Sequence, residues 1–259
     1  MSPSGILAVL RFEMRRMMTL PRLAGWVALT LICPLLAMLL KFREVPMTSI
    51  PQAGIFLLVL IPFVTCCLHL LLWATPVITS EMESRALAYI SVRPTGRISM
   101  FLGKYIAAAV RASVSGALSL GISLLIMQPD GIDNLFVVLF ILVLMASFSY
   151  GALYALIGVL FPSRAMPIAL AYTLTVELLV SFIPALINQI TLQFRLRYLF
   201  ADWIGHSVWK QDFEVWMGND PAWQHVAILV GYTIGLLALG MWVIHRREYV
   251  KAEQEIGAP

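Results

Sequence analysis

Leu135–Phe161, LFVVLFILVLMASFSYGALYALIGVLF, runs for 27 residues without a charged side chain. A helix rises about 1.5 Å per residue and the hydrocarbon core is about 30 Å thick, so an apolar run of about 18 residues or more is long enough to span a membrane. This run exceeds that need, which implies tilt or overhang. Working outward, the same reading finds five more runs, at about 23–40, 54–78, 105–127, 166–187 and 226–244. The chain is 60% hydrophobic and only 12% charged, against about 45–50% and 25% in soluble domains. The expected fold is all-α. It is a polytopic membrane protein with six transmembrane helices in one domain, residues 1–259, and no separate soluble domain.

Basic residues orient such a chain, because they stay on the cytoplasmic side. With a cytoplasmic N-terminus, twelve lie inside, among them Arg11, Arg15, Arg16, Arg22, Arg97, Lys104, Arg164 and Arg247, and five outside, Lys41, Arg43, Arg195, Arg197 and Lys210. Both termini are expected in the cytoplasm of a bacterial or archaeal cell, with the protein in its inner membrane. The net charge of +4 is a topology signal, and no nucleic-acid partner is expected. Cys33, Cys66 and Cys67 all fall in apolar runs and read as small core residues. The first apolar run follows a basic segment and lacks a small-residue cleavage site, so it reads as an anchor that stays in the mature protein. Pro34, Pro62, Pro76 and Pro184 lie within or near span ends and predict local kinks.

Three segments do not span. Residues 5–19 place Ile6, Leu7, Leu10, Met14, Met17 and Met18 on one helical arc opposite Arg11 and Arg15, which predicts an interfacial helix on the cytoplasmic leaflet. Glu13 breaks the pattern at the edge of the apolar arc. The loop 188–224 carries Trp203, Trp209, Trp216 and Trp223, residues that favour the membrane boundary, and is expected to dip into the outer leaflet. The third segment, 79–104, concentrates the charges: Glu81, Glu83, Arg85, Arg93, Arg97 and Lys104. Ser80 and Glu83 form a capping box, and Glu81 precedes Arg85 by one helical turn. A short helix is expected from Ser80 to about Ser91, followed by a turn at Pro94-Thr95-Gly96. It either transmits force from a cytoplasmic partner or only fixes topology.

The pattern Glu81, Leu87, Pro94-Thr95-Gly96-Arg97 and Gly103-Lys104 resembles the signature between the second and third spans of type-2 ABC exporter permeases. That family includes six-span subunits similar to the permease of the nitrous-oxide reductase maturation system. The resemblance extends over nearly the whole chain: amphipathic N-terminal helix, six spans, cytoplasmic termini and a long outer loop between spans five and six. One departure is Arg85-Ala86, where the family often has a small residue and then a hydroxyl residue. The resemblance implies a cytoplasmic coupling helix seated in a cleft of a separate ATPase subunit, with Glu81, Glu83, Arg85, Arg93 and Arg97 as coupling residues. It also implies a second permease subunit, identical or a paralogue. The chain itself has no phosphate-binding loop: six residues separate Gly96 from Gly103-Lys104 instead of four, and Tyr105 stands where Ser or Thr is required. ATP and Mg are thus expected in the partner ATPase, with no cofactor on this chain.

Glu177 lies at bilayer depth in the fifth run, beside Thr173, Thr175 and Ser181. Such a residue either lines a transport path or is a protonated or paired packing residue. Cys66-Cys67-x-His69 invites a metal reading, but adjacent cysteines on a helix point about 100° apart, and no metal site is expected. Gly231-x-x-x-Gly235 permits close helix packing, within the subunit or in a dimer. Two rivals to the permease reading remain: a membrane scaffold or assembly factor that moves nothing, and an intramembrane hydrolase. Against the hydrolase, Ser113-Val114-Ser115-Gly116 lacks the first glycine of the rhomboid GxSG pattern, and Glu81–Arg85 is not the EExxxR of the prenyl-protein proteases.

Overall fold

A computed structural model of the chain describes residues 3–16, 18–43, 50–79, 81, 96–129, 132–179, 191–205 and 221–247. All regular elements among them are helical. In chain order these are α1 (Pro3–Arg16), α2 (Leu20–Phe42), α3 (Ile50–Leu58), α4 (Cys66–Trp73), α5 (Gly96–Met127), α6 (Ile132–Leu160), α7 (Ala165–Tyr172), α8 (Leu192–Ile204) and α9 (Ala222–Arg246). A π-helical stretch, Val59–Thr65, joins α3 to α4, and another, Thr173–Leu179, extends α7.

Five helices are long and apolar enough to cross a membrane: Leu20–Phe42, Gln52–Val77, Gly96–Met127, Ile132–Leu160 and Ala222–Arg246. The protein is therefore a helical, multi-pass membrane protein. The fifth apolar run is seen as Ala165–Leu179; its continuation to Ile187 falls outside the described residues.

The prolines act unevenly. Pro62 sits inside the π-helical stretch, where a missing N–H is absorbed by the wider turn. Pro76 takes non-helical angles (φ −81°, ψ 30°) and ends the second span. Pro34 lies within α2, which continues through it to Phe42. Of the turn expected at Pro94-Thr95-Gly96, Pro94 and Thr95 lie outside the described residues and Gly96 begins α5, nine residues before Tyr105. At about 1.5 Å per residue, these 32 residues reach about 48 Å and overshoot the hydrocarbon core at one end.

The centre of the bundle is α6 against α5 and the second span. The buried face of α5 is a run of small side chains, Ala108, Ala112, Ser115, Gly116, Ser119 and Ser123, which lets neighbouring backbones approach closely. Hydroxyl bonds then tie helices together: Thr30 to Ser115 at 2.7 Å, Ser149 to Thr233 at 3.0 Å and Tyr154 to Thr173 at 2.6 Å. By contrast α2 and α9 expose long apolar faces, including Leu31, Leu35, Leu39, Val230, Ile234 and Trp242. Gly231 and Gly235 meet no side chain or neighbouring backbone of the described residues within 4 Å of a notional Cβ, so the GxxxG face looks outward from the subunit.

One end of the bundle is the basic end. The Arg97 Nη1 group donates to the Arg247 carbonyl (3.3 Å), Arg247 Nη1 donates to the Leu160 carbonyl (2.6 Å), and Thr79 Oγ1 donates to the Pro162 carbonyl (2.6 Å). The start of α5, the ends of α6 and α9 and the exit of the second span therefore lie together. At the opposite end, Lys41 Nζ donates to the Ile126 carbonyl (2.8 Å).

The loop 188–224 holds more structure than its tryptophans implied. Leu192, Leu196, Leu199 and Phe200 recur at helical spacing and are buried on α8, which packs against α6 and α3. Thr191 caps its start by accepting from the Phe194 N–H, and Gly205, at φ 72°, ends it in the left-handed conformation that favours glycine.

Candidate functional site

The first site forms at the basic end, where the charged connection leaves the second span. Glu81 is 7% exposed, and its Oε1 lies 2.6 Å from Lys104 Nζ on α5. Lys104 also donates to the Val77 carbonyl (3.2 Å) and lies 3.7 Å from Glu13 on α1. Arg16 completes the group, 3.7 Å from Glu13 and 3.8 Å from Glu81. Two acids and two bases thus join α1, the connection and α5.

Sequence and packing together explain this arrangement. Val9 on α1 lies over Gly103, where a Cβ would come within 2.7 Å of the Val9 Cβ. Only glycine at 103 lets α1 approach this closely, and one turn further along α1 Glu13 meets Lys104. Glu13, which mars the amphipathic pattern of α1, is the residue that pairs with the bundle. Leu7, Phe12, Met14 and Met18 stay exposed on the remaining surface. The Glu81–Lys104 pair, the one of these contacts within hydrogen-bond distance, is expensive to break from one side in so dry a position, because the abandoned partner is left as an uncompensated charge.

Of the five coupling residues read from the sequence, Glu81 faces inward in this cluster and Arg97 lies in the first turn of α5. Glu83, Arg85 and Arg93 fall outside the described residues, as does the body of the expected helix 80–91. The connection enters the described structure anchored at both ends: by Glu81 to Lys104, and by Arg97 to the Arg247 carbonyl.

The second site surrounds Glu177, which is 1% exposed. Its carboxylate accepts from the Tyr150 hydroxyl (2.8 Å), the Gln193 N–H (3.0 Å), the Leu192 N–H (3.3 Å) and the Tyr172 hydroxyl (3.5 Å). Leu192 and Gln193 are the first residues of α8, whose initial N–H groups have no partner within the helix. A carboxylate there satisfies two of them and meets the positive end of the helix dipole. Glu177 and Thr191 together cap α8, and Tyr150 links that cap to the centre of α6. In this conformation the acid is a packed, fully partnered group that binds α7, α6 and α8 together.

His69 is similarly committed. Nδ1 lies 2.8 Å from the Thr65 carbonyl and Nε2 3.0 Å from the Ser115 hydroxyl, and the ring stacks on Trp73 at 5.3 Å between centroids. Among the described residues no group of three or more His, Cys, Asp or Glu side chains could hold a metal ion.

The residues that sequence reasoning left unassigned are Glu13 and Lys104 at the first site and Tyr150 at the second. A charge on the apolar arc of α1 is the one signal that could have pointed to Glu13. Nothing local marks Tyr150. No protein-family model matches the chain, and no curated protein matches it.

Proposed function

We propose that this protein is the membrane subunit of an ABC-type exporter, coupled through residues 79–104 to a separate ATPase that binds ATP and Mg. It would work beside a second permease subunit, identical or a paralogue, in the cell membrane with both termini cytoplasmic. The resemblance of the connection to the type-2 permease signature motivates the reading. The observation that carries it furthest is the Glu81–Lys104 contact with its Glu13 and Arg16 partners. A mechanical relay needs an input segment fixed to several spans at once, and this connection is fixed to α1 and α5 by that cluster.

Under this reading, closure of the ATPase pair displaces residues 82–95. Glu81 passes the displacement to α5 and α1, and Thr79 passes it to the turn between α6 and α7 through the Pro162 carbonyl. Arg97 draws on the end of α9. The helices then move as packed bodies. Glu83, Arg85 and Arg93 are the contacts proposed to face the ATPase, whereas Glu81 acts from inside as the anchor. The fifth apolar run, which begins with α7, is taken as the remaining span, and α1 lies in the cytoplasmic leaflet with Leu7 and Met14 toward lipid. Glu177 stands beside a transport path only if α7 and α8 separate during the cycle.

A photo-crosslinking amino acid at positions 83, 85 and 93 in native membranes tests this. The expected product is an adduct with a soluble Walker-motif ATPase from at least one position. Adducts only with integral membrane proteins would favour the scaffold reading.

A further inference from the structure

Beside the Glu13 cluster lies a cavity of about 160 Å³, lined by Glu13, Arg16, Arg22, Trp73, Lys104 and Arg111 among others. Its charges do not balance. Glu13 and Glu81 offset Arg16 and Lys104 within the cluster described above, and Arg22 and Arg111 remain in excess. Arg22 sits at the start of α2, exposed at the mouth.

Arg111 is the sharper observation. It is 8% exposed, and its Nε and Nη1 atoms are buried with no hydrogen-bond partner. Glu13, across the cavity, is the opposite charge that acts on it, and the Trp73 ring centroid lies 6.0 Å from the guanidinium carbon. A guanidinium presents a planar fork of N–H donors that matches phosphate or carboxylate oxygens two at a time. Leaving such donors dry and unpaired costs free energy that a bound anion would recover.

We infer that this cavity is a binding site for a phosphate-bearing anion, held by Arg111 from within and Arg22 at the mouth. Arg16 and Lys104 add positive potential behind it, and the Glu13 carboxylate, 3.7 Å from both and without a hydrogen-bond partner on Oε1, repels the anion and sets a limit on how deep it sits. Trp73 forms the apolar wall. The site lies toward the basic end, beside Trp26 and Trp73, a residue type that favours the membrane boundary. The phosphate of an anionic lipid headgroup and a soluble phosphate share the required chemistry. This inference stands apart from the transporter reading, since an anion can bind there whether or not an ATPase docks.

The test uses the purified full chain in a neutral detergent, with thermal unfolding followed by tryptophan fluorescence. The probes are inorganic phosphate and dihexanoyl phosphatidylglycerol; sodium chloride at matched ionic strength and dihexanoyl phosphatidylcholine are controls. A saturable rise in Tm with an anionic probe, beyond either control, is expected. Arg22→Gln should raise the half-saturating concentration by roughly tenfold, the weight of one charge-assisted hydrogen bond, and Arg111→Gln by at least as much. A response to both probes identifies a phosphate site open to soluble anions; a response to phosphatidylglycerol alone identifies a lipid headgroup site. No rise beyond the controls, as for a cavity that holds only water, overturns the inference. So does an undiminished response in Arg22→Gln, which decides the matter alone if Arg111→Gln does not fold.

Discussion

Lys104 on α5 lies 2.6 Å from Glu81, near the start of the charged connection. The residue that resembles a docking contact is thus turned into the bundle, 7% exposed, with its charge spent on a helix that runs the depth of the protein. This changes what its mutation reports. Glu81→Lys would set a third cation beside Lys104 and Arg16, and breaking a buried pair from one side costs about 3–5 kcal/mol. Thermal unfolding in detergent should show a marked fall in Tm for Glu81→Lys and for Lys104→Met. The double variant Glu81→Gln/Lys104→Met should lose less than the two single losses combined, because the pair is removed together. Strict additivity would mean that the pair contributes nothing as a pair.

The Glu177 cap predicts a local effect. Glu177→Ala leaves the Leu192 and Gln193 N–H groups and the Tyr150 hydroxyl without their acceptor, at about 1–3 kcal/mol for each buried donor left unsatisfied. Hydrogen exchange should accelerate first at the amides of residues 192–194, before the centre of α6 is affected. Glu177→Gln keeps one acceptor oxygen but turns an amide donor toward the helix start, so it should fall between wild type and alanine. Unchanged exchange at 192–194 in Glu177→Ala would show that the carboxylate does not hold α8.

The approach of α1 to α5 depends on Gly103. Gly103→Ala puts a methyl group within 2.7 Å of the Val9 Cβ, and overpacking of this kind costs about 1–3 kcal/mol. Trypsin should then cut more readily after Arg11, Arg15 or Arg16 while the rest of the chain stays intact. Adding Val9→Gly, which removes both the Cβ and the Cγ1 that the new methyl group meets, should restore part of the protection. If Gly103→Ala alone leaves trypsin cleavage unchanged, α1 is held by something other than this contact.

Orientation is open to labelling. Cys33, Cys66 and Cys67 are buried, so an introduced cysteine is read over a quiet background. In intact cells a membrane-impermeant maleimide should label Arg43→Cys directly and Arg247→Cys only after permeabilisation. The reverse pattern would invert the proposed topology.

How far the sequence speaks is clearest residue by residue. The five long helices were legible because hydrophobic runs must match the thickness of the hydrocarbon core. The distortions at Pro62 and Pro76 followed from a missing N–H. α8 was legible in principle: Thr191 as cap, Leu192, Leu196, Leu199 and Phe200 at helical spacing, and Gly205 as stop. The tryptophans of this stretch point to the membrane boundary and give no sign of the helix. The partner of Glu13 was beyond reach, since the ion pair with Lys104 forms only once Gly103 has let α1 settle. The capping role of Glu177 was equally hidden, because it depends on α7 and the start of α8 meeting in space.

The central claim is that an ATPase drives this chain through residues 79–104. The most direct measurement is gentle purification of the tagged protein from its native membrane, with mass spectrometry of its companions, for wild type and for Arg93→Glu. The account predicts a co-purifying Walker-motif ATPase that is lost in Arg93→Glu while the membrane subunit remains folded. A chain that emerges alone, or only with partners lacking an ATP site, under conditions that keep other ABC complexes whole, would contradict it.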